Sequence, residues 1–117
     1  MQYLLMIYGE EARLSQPPNE AVTQMNAAYV AYTRAMREAG VLVAGERLQP
    51  ISTATSVRVA DGKTNVLDGP YADTKEQLGG YYVIEVPDID QAVAWAARCP
   101  GASMGTMEVR PIWSMSM

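Results

Sequence analysis

Residues 55–67, Thr55-Ser56-Val57-Arg58-Val59-Ala60-Asp61-Gly62-Lys63-Thr64-Asn65-Val66-Leu67, place two runs of strand character on either side of Asp61-Gly62. An Asp-Gly pair adopts the two positive φ angles of a type I′ turn readily, and the twist of that turn matches the twist of paired antiparallel strands. The stretch therefore predicts a β-hairpin. It lies in the middle of the chain, and a strand, helix, strand rhythm flanks it on both sides.

Upstream, Val41 to Leu48 is too short for a helix, and Val41-Leu42-Val43 suggests a strand. Before it, Gly40 suits the residue that ends a helix. From Val22 the apolar residues Met25, Tyr29, Tyr32 and Met36 recur at alternating steps of three and four, one stripe down about 30 Å of helix. Gln24, Asn26, Arg34 and Arg37 occupy the other side, so this helix lies on a surface. Asn19 is placed to cap its start, after a polar connection from Gly9 to Pro18. The first residues, Met1-Gln2-Tyr3-Leu4-Leu5-Met6-Ile7-Tyr8, lack the basic start of a signal segment, and their apolar stretch is too short for a signal segment or a span, so they read as the first strand.

Downstream, Asp68-Gly69-Pro70 marks a turn. Asp73-Thr74-Lys75-Glu76 has capping-box spacing, predicting a one-turn helix that Gly79-Gly80 stops. Tyr81 to Val86 reads as a strand. Asp88 and Gln91 predict the capped start of a second helix that runs to about Arg98, before Pro100-Gly101. Thr106 to Ile112 is the last strand.

This order is a split βαβ arrangement with an inserted β-hairpin, an α+β domain with one antiparallel sheet and two helices. Residues 1–113 are expected to form that single domain and 114–117 a short tail. Two amphipathic helices cover one sheet face, yet the first strand is apolar on both: Tyr3, Leu5 and Ile7 alternate with Leu4, Met6 and Tyr8. A second copy packed face to face is the simplest cover, so a homodimer is expected. The same alternation puts Tyr81, Glu85, Glu108 and Arg110 on the face away from the helices. They either line a covered space or lie in solvent at the sheet edge.

Composition narrows the chemistry. The 117 residues include nine basic and thirteen acidic side chains, a net charge of −4, which disfavours a nucleic-acid partner. No histidine is present, removing the commonest acid–base and metal-ligating side chain. The single Cys99 cannot form an internal disulfide and fits a reducing cytoplasm. Placed at a helix C-terminus, it reads as packing rather than as a nucleophile. No metal, cofactor or membrane association is indicated, since zinc, calcium, phosphate-loop and dinucleotide signatures are all missing.

Three blocks carry a family resemblance: Gly45-Glu46-Arg47-Leu48, the run from Asp68-Gly69-Pro70-Tyr71 through Gly79-Gly80-Tyr81-Tyr82, and Glu108-Val109-Arg110-Pro111. Together with the Tyr-rich first strand and Ala94-Trp95-Ala96-Ala97-Arg98, they resemble the YCII-related, DGPF-domain proteins over essentially the whole chain. The resemblance implies a ferredoxin-like fold closing into a dimeric α+β barrel. It does not supply a reaction. A His and Asp pair has been proposed as active in some YCII-like proteins, and this chain has no His to take that part. Tyr71 stands where the name motif has Phe. Proteins of this type are also linked with extracytoplasmic-function sigma factors, which implies a regulatory role with a sigma-factor-related protein partner.

The candidate pocket is assigned to Glu46, Arg58, Asp68, Tyr71, Lys75, Tyr81, Glu108 and Arg110, with Asp68, Lys75 and Tyr81 as candidates for catalysis. Asp68 is either a carboxylate at a pocket mouth or an ordinary turn residue. Lys75 suits an anionic ligand, whereas Glu76 is already accounted for by the capping box. Glu46 and Arg58 could equally be an ion pair; Arg58 and Arg110 would suit a carboxylate or phosphate through bidentate bonds. Any proton transfer here falls to a carboxylate, Tyr or Lys whose pKa burial has moved. Two readings follow: a dimeric barrel binding a small molecule, an anion among the candidates, as a cofactor-independent enzyme would, or a non-catalytic accessory domain that contacts another protein.

Overall fold

The computed structural model describes residues 1–11 and 20–114. Strands β1 (Gln2–Gly9), β2 (Leu42–Arg47), β5 (Gln77–Glu85) and β6 (Thr106–Pro111) form one sheet, while β3 (Thr55–Ala60) and β4 (Lys63–Asp68) form a separate two-stranded ribbon. Helices α1 (Glu20–Glu38) and α2 (Ile89–Arg98) connect β1 to β2 and β5 to β6. The sheet order is β2-β5-β1-β6, every pair antiparallel, which is the order of a ferredoxin-like α+β fold with a hairpin inserted between its second and third strands. The expected cap at Asn19 and the tail residues 115–117 lie outside the described residues.

The core forms on one side of the sheet. Tyr3 and Leu5 of β1, Ile84 of β5 and Val86 meet Tyr32 and Met36 of α1 and Ala92, Ala96 and Cys99 from α2 and its end. Leu5, Met36 and Ile84 have no exposure at all. These are the residues that the two periodicities predict, alternate positions in the strands and steps of three and four in the helix. Tyr32 spans the layers: its hydroxyl donates to the Trp95 carbonyl at 2.7 Å, and its ring meets Tyr82 edge-on at 5.5 Å.

Helix ends follow their local chemistry. At the end of α1, Val41 N–H bonds to Met36 O at 3.1 Å and Gly40 N–H to Arg37 O at 3.0 Å, the paired bonds that turn a chain out of a helix. The Asp88 carboxylate accepts from Gln91 N–H at 2.9 Å and caps α2. In the ribbon, Asp61 and Gly62 take φ of 51° and 75°, the conformation expected of a type I′ turn.

Residues 73–76 depart from expectation. They form no helix; Thr74 Oγ1 donates to Glu76 O, and Gln77 Nε2 donates to Thr74 O at 2.7 Å. A single turn offers one backbone bond against the cost of fixing several residues, and here the chain is already extended where Gln77 pairs with Gly9. Gly79-Gly80 likewise does not stop a turn but lies inside β5. The register slips there, Ile7 facing Gly80 and Tyr8 facing Leu78, so Gly79 is the extra residue of a bulge. A side chain at Gly80 would sit 2.9 Å from Glu46 O, so glycine admits the close approach of β2.

Candidate functional site

The pairing register defines the sheet face that carries neither helix. Across the four strands, Glu46, Tyr81, Met6 and Glu108 form one row; Ala44, Val83, Leu4 and Arg110 form the next. Residues paired directly across antiparallel strands share a face, so these rows put Glu46, Tyr81, Glu108 and Arg110 together on it. Its centre, on β5 and β1, is apolar. Its charges stand on the outer strands, with Glu46 on β2 and Glu108 and Arg110 on β6, and at the end of β5, where Glu85 faces Gln2 and accepts from the Met1 ammonium at 2.8 Å.

At the β6 side, Tyr8, Thr74, Glu76, Thr106, Met107 and Glu108 line a shallow hollow of about 380 Å³. Thr106 Oγ1 donates to the Glu76 carboxylate at 2.7 Å, which fixes one carboxylate against the rim while leaving acceptor positions for a ligand. Two carboxylates, two threonine hydroxyls, a tyrosine and a methionine make a surface rich in hydrogen-bond acceptors with some apolar contact. Backbone packing holds it in place, since a side chain at Gly105 would collide with Tyr8 O.

The remaining expected residues are placed elsewhere. Asp68 ends β4 at the root of the ribbon, and Arg58 lies within β3. Tyr71 is 79 % exposed, and Lys75 is exposed on the loop before β5. Among the described residues no ion pair joins Arg58 to Glu46, and within one chain the cations do not converge as an anion site needs. Tyr8, Thr74, Glu76, Thr106 and Met107 are the hollow residues that the expected set lacked; Glu108 alone is shared. Glu76 had been assigned to a cap, and Tyr8 and Thr106 become neighbours only through the β1–β6 register, which pairs them.

The groups whose titration burial perturbs lie on the other side of the sheet. Burial raises the pKa of Tyr29, Tyr32, Tyr82 and the Cys99 thiol. Cys99 Sγ is 3.8 Å from Tyr29 OH, and Tyr82 OH is 2.8 Å from Thr33 Oγ1. They belong to the core between sheet and helices, so Cys99 is held as a neutral, packed thiol. Among the described residues no three His, Cys, Asp or Glu gather to hold a metal ion, and no helix is long and apolar enough to cross a membrane.

The family model of the YCII-related domain matches residues 1–116. The uncharacterized protein R00369 of Rhizobium meliloti (strain 1021) is 37% identical over 114 residues, covering 96% of this chain and 92% of that protein. Among solved structures, 5-chloro-2-hydroxyhydroquinone dehydrochlorinase (TftG) from Burkholderia phenoliruptrix AC1100, in complex with 2,5-dihydroxybenzoquinone, superposes with a TM-score of 0.57. That alignment covers 99% of this chain and 96% of the other at 15% identity, a likeness of fold.

Proposed function

The chain belongs to the YCII-related domain family, and from that premise we propose that it is a homodimer binding a small hydroxylated molecule at the helix-free sheet face, with the hollow beside β6 as the binding site. The observation that carries this is the convergence of Glu76, Glu108, Tyr8, Thr74 and Thr106 around one hollow. Carboxylates accept hydrogen bonds from ligand hydroxyls, and a carboxylate beside a bound hydroxyl is the group able to take its proton. Hydroxyl recognition fits this lining better than the anion considered from sequence, because among the described residues Arg110 is the one cationic side chain on that face and it stands a row beyond Glu108. Tyr81 occupies the row of Glu108 and contributes ring surface and a hydroxyl. The dehydrochlorinase of similar fold acts on a hydroxylated hydroquinone, which makes that ligand class a sensible first probe.

A second copy packed over this face would turn a shallow hollow into an enclosed site, the form in which small-molecule sites bury most of a ligand. The test is titration calorimetry with 2,5-dihydroxybenzoquinone and its hydroquinone. Saturable binding is expected, weakened about tenfold or more by Glu108→Gln and by Glu76→Gln, because each substitution replaces a charged acceptor by a neutral one. Binding unchanged in both variants, or no binding by any member of a wider hydroxyl-bearing panel, defeats this reading.

A second reading, a non-catalytic domain contacting another protein such as a sigma-factor-related partner, is favoured by the exposed valines of the β3–β4 ribbon. Co-purification of a partner at fixed stoichiometry with no ligand binding would select it.

A further inference from the structure

We infer that the β3–β4 ribbon is a docking arm for a second copy of this chain: its valine face lies on the apolar centre of the other copy's helix-free sheet face, and the other copy's arm lies on its own. This deepens the dimer reading above and rests on it.

The arm has two chemically distinct faces. Pairing of Val57 with Val66 and of Val59 with Thr64 puts three valines on one side, with Asp68 at its root, while pairing of Arg58 with Asn65 and of Ala60 with Lys63 puts the cations on the other, where Leu67 is the one exposed large apolar side chain. Val57, Val59 and Val66 are 63%, 66% and 62% exposed. The two strands pack on each other and only marginally on any other element. A lone two-stranded ribbon is marginal in water, so a partner surface is required to hold it. Its root, by contrast, is fixed. Gly69 N–H bonds to Ala54 O at 2.7 Å, Ser56 Oγ donates to Gly69 O at 2.8 Å, and Ile51 N–H bonds to the Glu11 carboxylate at 2.8 Å. A stiffly rooted arm presents its valines in a set direction.

The matching surface is on the same chain. Half-buried Leu4, Tyr81 and Val83, with Met6 already buried between them, form an apolar centre, with Glu46, Glu108 and Arg110 on the outer strands, the pattern of an interface core inside a polar rim. Six residues of strand give the arm a length of ~20 Å, enough to cross the ~14 Å between the outer strands of a four-stranded sheet. Area selects the occupant. A sheet face of this size offers ~400 Å² in projection, about half of the ~800 Å² per partner that a stable interface buries. The donated arm adds ~200 Å² of its own, giving ~600 Å² per partner and ~1,200 Å² in all, the size at which stable interfaces begin. Because both surfaces belong to one chain, a two-fold pair satisfies both at once and closes.

The decisive experiment is sedimentation equilibrium of the full chain with two pairs of substitutions on opposite faces of the arm. The wild type is expected at twice the chain mass. Val57→Asp with Val66→Asp is expected to raise the dimer dissociation constant about 30-fold or more, and Arg58→Glu with Lys63→Glu to change it less than about threefold. A second measurement holds even if the valine variant fails to fold: chains carrying Val66→Cys, mixed with chains carrying Leu4→Cys or Val83→Cys, should form a disulfide-linked heterodimer under mild oxidation. A dimeric wild type whose mass is untouched by the valine substitutions, or a mixture that gives no linked heterodimer, overturns the arm assignment and leaves the ligand site standing. A monomeric wild type removes the dimer and the arm assignment together.

Discussion

Three tyrosines and a cysteine share the space between sheet and helices, and their hydroxyl and thiol protons couple stability to pH. Burial is the largest influence on each: it raises Tyr29, Tyr32 and Tyr82 above the ordinary 10.0 and Cys99 above the ordinary 9.0. A folded-state pKa above the unfolded one means that the native chain keeps protons that the unfolded chain gives up. The stabilising contribution is therefore complete below those ordinary values and drains away as pH rises past them. The urea midpoint is expected to hold steady from about pH 7 to 8 and to fall above about pH 9, with phenolate absorbance of the core tyrosines arriving together with unfolding. A midpoint level through about pH 10.5 would contradict the burial of these groups. At this scale the core stripe of Tyr29, Tyr32 and Met36 was legible because helical spacing alone produces it. Glu76 was not, because its partner, Thr106, is thirty residues away and reached only through the sheet.

Asp73-Thr74-Lys75-Glu76 and Asp88-Ile89-Asp90-Gln91 carry the same spacing and behave differently. What separates them is the segment behind the motif. Asp88 precedes ten residues whose Ala92 and Ala96 bury against the sheet, so its cap completes a helix that packing already stabilises. Asp73 precedes Gly79-Gly80 and a strand, with no apolar stripe to hold a helix in place. A capping motif thus predicts where a helix starts once a helix is otherwise supported. The cap at Asp88 should be worth about 1 kcal/mol, so Asp88→Ala is expected to lower the thermal midpoint by about 4 °C with the native far-UV spectrum retained. Asp73→Ala serves as its control and should shift the midpoint by under about 1 °C, since surface changes away from such features cost little. Equal effects at the two positions would show that the helical reading of residues 73–76 was right after all. The hairpin was legible for the complementary reason: Asp61-Gly62 needs nothing distant to form its turn.

Over the whole molecule, the order of strands and helices was enough to predict the split βαβ topology, and the two-sided apolar first strand predicted a face needing cover. The direction of the hairpin was not legible, because local turn chemistry sets how two strands pair and says nothing about where the pair points. Its projection explains the dimensions. The chain extends 48 × 44 × 19 Å with a radius of gyration of 16.3 Å, against ~13 Å for a compact chain of this length. Since β3 and β4 contribute almost nothing to the core, the four-stranded layer should not depend on them for folding. The geometry allows a clean excision, because Ala54 and Gly69 are already joined by a backbone hydrogen bond at the arm's root. Replacing residues 55–68 with a two-residue turn should leave a cooperatively unfolding domain with its tyrosine core intact. The loss should fall on association, and the shortened chain is expected to sediment at the mass of a single copy. A shortened chain that unfolds without cooperativity would place the arm within the folding unit; one that still pairs would mean that the sheet faces associate without it.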